Sequence, residues 1–329
     1  MGGKPVVRTG LPPTQGKDAK SVIVEASSKG TSERFRPAWR WGLVGLPWIL
    51  LLTLLIGWGQ NRVPADPHRL ITPIAPPASR GSIATSSHNS ASGPFTESLS
   101  TPQLSVATFN IHRGKGGATS ATMADFLQLL QGSDLVALQE DVPIGGKTFS
   151  RRLGSARGDW AAELPTEFQW FSPNGGNGLL LPHNPESVIT LPLPGTRGKA
   201  FRQMAMVRVL CGTAPVTVVA THLDSSVDRP LQIPVLTELW RSLAPPCVLM
   251  GDLNTRPDDP LIKPLLAVEG TRDVLLDMGE RTGAPSVAHI DWILTRGLQT
   301  VSAELIPTPV SDHPVIRATL ELPQTAIEP

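Results

Sequence analysis

Between Trp41 and Trp58 the chain reads WGLVGLPWILLLTLLIGW, without a single charge. Such a run has no polar face, so it does not suit the surface of a globular domain as an ordinary amphipathic helix. Its length is close to the ~17–20 residues that cross the hydrocarbon core of a bilayer. Pro47 is tolerable there because neighbouring groups re-satisfy the carbonyl it frees. Trp41 and Trp58 lie at the ends, where indole rings favour the interface. The run predicts one transmembrane helix over 41–59. Arg34, Arg36 and Arg40 precede it closely, whereas Arg62 and Arg69 follow. That asymmetry predicts a single-pass protein with a cytoplasmic N-terminus and everything after the span outside the cytoplasm. A cleaved signal peptide ending near Val63-Pro64-Ala65 would give the domain the same location.

The run also divides the chain. Residues 1–40 are polar, rich in Gly, Ser and Lys, and show no sustained apolar period, which predicts a disordered cytoplasmic segment. Residues 60–103 include ITPIAPPASRGSIATSSHNSASGPF, a composition that buries no core and predicts a semi-extended linker. From Leu104 onward the chain holds 18 Lys+Arg against 23 Asp+Glu, a net of −5 in a chain whose total is +1. A mildly acidic domain has no electrostatic basis for a strong non-specific grip on nucleic acid. The 2 cysteines, Cys211 and Cys247, exclude a disulfide-rich scaffold and a cysteine-based zinc cluster.

Over 104–323 short apolar runs alternate with turns and helical stretches. LSVATFNI and DLVALQE read as buried strands, and the segment from Ser120 to Gln131 between them as a helix. RQMAMVRVLC and VTVVATHL form a hairpin about Gly212-Thr213-Ala214-Pro215. LQIPVLTELWRSLA is helical, CVLMGDLN a strand, and HIDWILT and VIRATLEL are further strands. Hairpins mixed with strand-helix-strand units predict mixed sheets with helices outside rather than a purely parallel doubly wound sheet.

Those strands stop at Asn110, Glu140, His222, Asp252, Asn254, Asp291, Asp312 and His313. One acidic residue after a strand is ordinary; a set of carboxylates, amides and imidazoles delivered by separate strands is not. Ligand sites in layered folds gather at such strand ends.

The motifs TFNIH, LQE, THLD, GDLN, IDWIL and SDH, in that order, resemble the endonuclease/exonuclease/phosphatase superfamily, typified by DNase I, AP endonucleases, sphingomyelinases and inositol-polyphosphate 5-phosphatases. The resemblance covers Leu104 to about Leu322. It implies an α+β sandwich, DNase I-like, with two packed mixed β-sheets flanked by helices. It also implies hydrolysis of phosphodiesters, and it assigns Glu140 as metal ligand and Asp291 as the partner of His313.

The chemistry supports these roles. Phosphodiester cleavage needs a polarised phosphoryl group, an activated water and stabilised charge on the equatorial oxygens. Mg²⁺ or Mn²⁺ suits this, held by oxygen ligands from Glu140, Asn110 and Asp312. His313 is the expected general base, since an imidazole titrates near neutrality and a carboxylate fixes its tautomer. Asp252 would orient water or protonate the leaving group. Asn254 faces the same phosphate or caps the turn before Pro257. His222 either donates to a phosphate oxygen as an imidazolium or serves as a structural hydrogen bonder. His112, Arg113 and Asn177 are further candidates near the substrate, and His183 and His289 are expected to be exposed.

Departures from the family limit the substrate. No tyrosine is available to match the AP endonuclease site, and no long basic insertion would bind duplex, so genomic repair is not expected. The expected substrate is extracellular nucleic acid or, alternatively, a phospholipid head group as in sphingomyelinases; a non-catalytic module on the same fold is a third reading. The membrane is reached through 41–59, and no protein partner is inferred. In this family the strand before GDLN runs beside the one before THLD, which implies that Cys211 and Cys247 meet at one sheet edge and form a disulfide.

Overall fold

The computed structural model describes residues 39–59, 74–75, 103–114, 122–143, 146–166, 175–195, 201–283 and 288–323. Of the disordered segment expected over 1–40, Trp39 and Arg40 are helical and the rest falls outside the described residues, as does the signal cleavage site near Ala65.

In chain order the elements are α1 (Trp39–Gly59), β1 (Ile74–Ala75), β2 (Gln103–Asn110), α2 (Met123–Leu129), β3 (Leu135–Asp141), α3 (Phe149–Arg157), β4 (Trp160–Pro165), β5 (Gly176–Leu181) and β6 (Val188–Pro192). They continue with β7 (Gln203–Cys211), β8 (Ala214–His222), α4 (Arg229–Ser242), β9 (Cys247–Asp252), α5 (Lys263–Leu266), β10 (Arg272–Asp273), α6 (Val274–Thr282), β11 (Asp291–Arg296), β12 (Gln299–Ile306) and β13 (Val315–Glu321).

The apolar run at the start is helical, as α1. Leu46, Trp48, Ile49, Leu50, Leu52 and Leu54 are each more than half exposed. The transmembrane span expected over 41–59 is not supported, because no helix among the described residues is long and apolar enough to cross a membrane. Within the expected linker, Ile74 and Ala75 pair antiparallel with Ala162 and Ala161 at a sheet edge.

Two mixed sheets account for the rest. One has seven strands in the order β1-β4-β5-β3-β2-β13-β12, the other six in the order β10-β11-β9-β8-β7-β6. The unbroken apolar runs follow from burial on both faces. In β3, Leu135 and Ala137 point into the layer between the sheets, while Val136 and Leu138 pack outward with Phe126 of α2 and Leu153 of α3. In β8, Val218 and Ala220 face inward and Val219 packs outward against Ile233, Leu236 and Trp240 of α4. Trp240 is fully buried and its Nε1 donates to Thr271 Oγ1 at 2.9 Å; truncating such a side chain to alanine costs about 3–5 kcal/mol. α2 begins with a reciprocal cap between Thr122 and Asp125, which satisfies donors the helix cannot.

The pleat decides the fate of the cysteines. Both are buried, and neither forms a disulfide. Cys211 sits in the layer between the sheets and Cys247 in the layer beneath α4. Cys247 is in register with Thr217, whose neighbours Val216 and Val218 face inward, so Cys247 faces outward. The two thiols lie on opposite faces of one sheet, and the expected disulfide does not form.

Candidate active site

Three neighbouring strands of the six-stranded sheet reach one end in register. His222 of β8 lies opposite Asp252 of β9, and Asp252 lies opposite Asp291 of β11. Register-paired residues project from the same face about 5 Å apart, so the pairing alone assembles two carboxylates and an imidazole. All three are buried. Gly251, before Asp252, has φ 143°, and a Cβ there would lie 1.9 Å from the Thr221 carbonyl oxygen. The glycine of GDLN is therefore required by the close approach of β8.

The seven-stranded sheet contributes from the ends of two parallel strands, β2 with Asn110 and β3 with Glu140. Asn110 Nδ2 donates to Asp252 Oδ2 at 3.0 Å, a buried bond that ties one sheet to the other. The loop between β12 and β13 supplies Asp312 and His313. Ser311 anchors it: its Oγ donates to the Asn110 carbonyl at 2.7 Å and accepts from the His313 N–H at 3.2 Å. His313 Nδ1 then meets Asp291 Oδ2 at 2.8 Å, and its Nε2 lies 3.9 Å from Asp252 Oδ2.

Burial would lower the His313 pKa, but the hydrogen bond to Asp291 and the charges of Asp291, Asp252 and Asp312 outweigh it and raise it to about 9. Burial and the neighbouring Asp291 raise Asp252, against the opposing pull of His313, Asn110 and the Asn254 N–H. His222 Nε2 is 3.4 Å from Asp252 Oδ2. Burial first, then the cations Arg202 and His313, hold His222 well below the ordinary histidine value. The shift disfavours the imidazolium, one of the two roles read from the sequence.

Asn254 donates its N–H to Asp252 Oδ1 at 2.8 Å and its Nδ2 to the Leu223 carbonyl at 2.9 Å, which is the capping role. Asp312 lies at the exposed lip, 2.5 Å from His112 Nδ1. Its partial burial is outweighed by the His112 bond and charge, and its pKa is lowered. Glu140 is half-buried and has no hydrogen-bond or ion-pair partner among the described residues. The non-glycine residues with positive φ among the described ones are His112, Arg113, Glu140 and Asn254. Each such conformation costs about 1 kcal/mol or more, and all four adjoin this site.

The contacts therefore join Asn110, His222, Asp252, Asn254, Asp291 and His313 in one cluster with Asp312 at its lip, while no described contact joins the Glu140 carboxylate to it. Asp252, Asp291 and His313 present ligand atoms within 4.8 Å of one another, and Asp291 Oδ1 is buried without a partner. With Glu140 at the end of the strand beside that of Asn110, the donors are mostly oxygens, which fit a hard divalent cation. Asn177 is buried with its Oδ1 unpartnered, and no described contact joins it to the cluster. His289 is buried rather than exposed, packed edge-on against Trp292 with centroids 4.4 Å apart, and His183 is half-buried. Ser311 was missed; the serine of SDH was the available signal.

The family model for the endonuclease/exonuclease/phosphatase family matches residues 107–313. The chain belongs to that family. Family members are phosphoesterase hydrolases. Among solved structures, an endonuclease/exonuclease/phosphatase from Beutenbergia cavernae is 22% identical, with a TM-score of 0.53 over 67% of this chain and 72% of that one. The human Nocturnin catalytic domain is 17% identical, with a TM-score of 0.54 over 68% and 94%. D. rerio TDP2 complexed with single strand DNA product is 18% identical, with a TM-score of 0.50 over 67% and 99%. No curated protein matches the chain in sequence. These likenesses agree with the two-sheet fold expected from the strand pattern.

Proposed function

We propose that this member of the endonuclease/exonuclease/phosphatase family hydrolyses phosphodiesters with a divalent cation, Mg²⁺ or Mn²⁺. The observation that carries the reading is the buried chain of contacts Asn110–Asp252 and His313–Asp291, which fixes an imidazole and a second carboxylate around one point. Glu140 would hold the cation, because its carboxylate is uncommitted, with Asn110 and Asp312 completing or supporting that side. The cation would polarise the phosphoryl oxygens and lower the pKa of water.

The residues of the chain do the rest. Asp291 orients the His313 ring and favours its charged form, so His313 Nε2 can hold or release a proton at the reacting phosphate. Asp252, raised by burial, is suited to orient water or protonate the leaving oxygen. Neutral His222 keeps Asp252 in place, and Asn254 holds the turn beyond it.

Nucleic acid outside the cytoplasm is the first substrate, in keeping with the single strand DNA product held by the TDP2 relative. A phospholipid head group is the second reading, favoured by the exposed apolar side chains of α1. The cations before the uncharged run support a location of the domain outside the cytoplasm. Protease protection and carbonate extraction of the full chain test that placement. Assaying the protein with bis-(p-nitrophenyl) phosphate, plasmid DNA and sphingomyelin, each with and without Mg²⁺, tests the function. Metal-dependent release from at least one is expected; no turnover of any, or full turnover in excess chelator, contradicts it.

A further inference from the structure

The turn after β9 runs Leu253-Asn254-Thr255 and carries Asn254 at φ 50°, a conformation that an asparagine tolerates only at some cost. Its carbonyl accepts from one side chain. Arg229, the first residue of α4, donates from Nη1 to the Asn254 carbonyl oxygen and, at 3.3 Å, to the Ser225 carbonyl oxygen. Arg229 has no carboxylate partner among the described residues, and its Nε is buried without a hydrogen-bond partner. A guanidinium left un-neutralised and partly unsatisfied is not where it is for the sake of an ion pair. Its hydrogen bonds are to backbone carbonyls, and one of them belongs to the turn that orients Asp252.

The anchorage of Arg229 is itself built. Asp224 accepts from the N–H groups of Ser226 and Asp228, and Gln232 of α4 accepts from Asp224 N at 2.8 Å and donates to the Pro194 carbonyl at 3.2 Å. Asp224, Asp228 and Gln232 are all buried. This fixes the start of α4 against the loop that follows His222. From the other side, Trp292 Nε1 donates to the Thr255 carbonyl at 2.9 Å. The turn is thus gripped at two consecutive carbonyls, by Arg229 from α4 and Trp292 from β11. The Asn254 N–H, so placed, donates to Asp252 Oδ1.

We infer that Arg229 is a positioning residue for hydrolysis, clamping the Asn254 carbonyl so that the Asn254 N–H fixes the rotamer of Asp252. The inference rests on the phosphodiesterase reading for its effect on rate, and on geometry alone for the clamp. Two measurements keep these apart. In the first, bis-(p-nitrophenyl) phosphate hydrolysis is compared for wild type, Arg229→Ala and Arg229→Lys, with and without millimolar guanidinium. The expected result is a kcat reduced about 10–100-fold in Arg229→Ala, as for loss of a group that orients a reacting one. KM should change little, and both Arg229→Lys and added guanidinium should restore part of kcat. In the second, amide hydrogen exchange over 252–256 should quicken at least tenfold in Arg229→Ala, with β13 unchanged and Arg229→Lys intermediate. An unchanged exchange rate over 252–256 overturns the clamp, whether or not the wild type proves active. If the wild type turns over and Arg229→Ala keeps its kcat within about twofold, the positioning role is wrong. A kcat loss matched by faster exchange throughout the domain, with no rescue, also overturns it, because it marks a purely structural arginine.

Discussion

The two sheets meet at the site with unlike contributions. The six-stranded sheet delivers His222, Asp252 and Asp291 by register, all buried and facing one another, and Asp291 is bonded to His313. The seven-stranded sheet delivers Asn110, whose amide is committed to Asp252, and Glu140, half-buried and with no partner among the described residues. One side is closed and preorganised; the other keeps a carboxylate open at a strained backbone position. Under the proposed function, this difference implies a division of labour, with proton handling on the closed side and cation binding on the open one.

Breaking the closed side should do the most harm. His313→Ala should lower kcat by about two to four powers of ten, the usual worth of a positioned acid-base group. Asp291→Asn should come close to it, since the asparagine neither favours the charged ring nor fixes its tautomer. Steady-state kinetics at saturating metal decide this, and near wild-type turnover in both variants would remove the pair from the mechanism. Severing the link between the sheets should do less. Asn110→Ala leaves the buried Asp252 Oδ2 without its amide donor, and a roughly 10–100-fold loss of kcat is expected, as for other groups that orient a reacting one. A variant with an unchanged rate would mean that the sheets are aligned without this bond.

The closed side also has a pH signature in metal-free protein. The His313 pKa is raised from 6.5 to about 9 in the folded state. Its contribution to stability is therefore complete below about pH 6.5 and is lost as the pH climbs through about 9. In chelator, wild type should exceed His313→Gln by about 1–2 kcal/mol near pH 6, after allowance for solvent screening, and the gap should close by about pH 10. Urea melts across that range check the sign; a gap that widens with pH would contradict the ion pair. The smallest effect concerns the cysteines. Reductant should leave the Tm unchanged, because Cys211 and Cys247 face opposite sides of the sheet. A fall of several degrees on reduction would show that they had been bridged.

The legibility of this chain followed burial. β2, β3, β8 and β9 are apolar on both faces and end in polar residues, so they could be read directly, and with them Asn110, Glu140, His222 and Asp252. β12 was not read, although QTVSAELI alternates: it is an edge strand, half-exposed, and its pattern is diluted by polar residues. α3, FSRRLGSAR, is basic and contains glycine, and its place is set by tertiary contacts that no local pattern carries. The partners of each site residue were less accessible than the residues themselves. That His313 meets Asp291 came from the family resemblance; that His222 would be neutral depended on depth of burial. That Ser311 and Arg229 brace the site depended on loops folding back. Pairings between distant segments are written in packing, and a sequence motif records only one end of each.

The division of labour between the sheets is tested most directly by metal titration of the reaction in two variants. With bis-(p-nitrophenyl) phosphate as substrate, Mg²⁺ is added to wild type, Glu140→Gln and His313→Ala, and half-saturating metal and limiting rate are recorded separately. Glu140→Gln should need at least about tenfold more metal and recover most of the limiting rate, in line with the worth of groups that tune a metal site. His313→Ala should keep the wild-type metal requirement and lose its limiting rate. The opposite pattern, a metal requirement moved by His313→Ala and untouched by Glu140→Gln, would put the cation among Asp252, Asp291 and His313 and contradict the account.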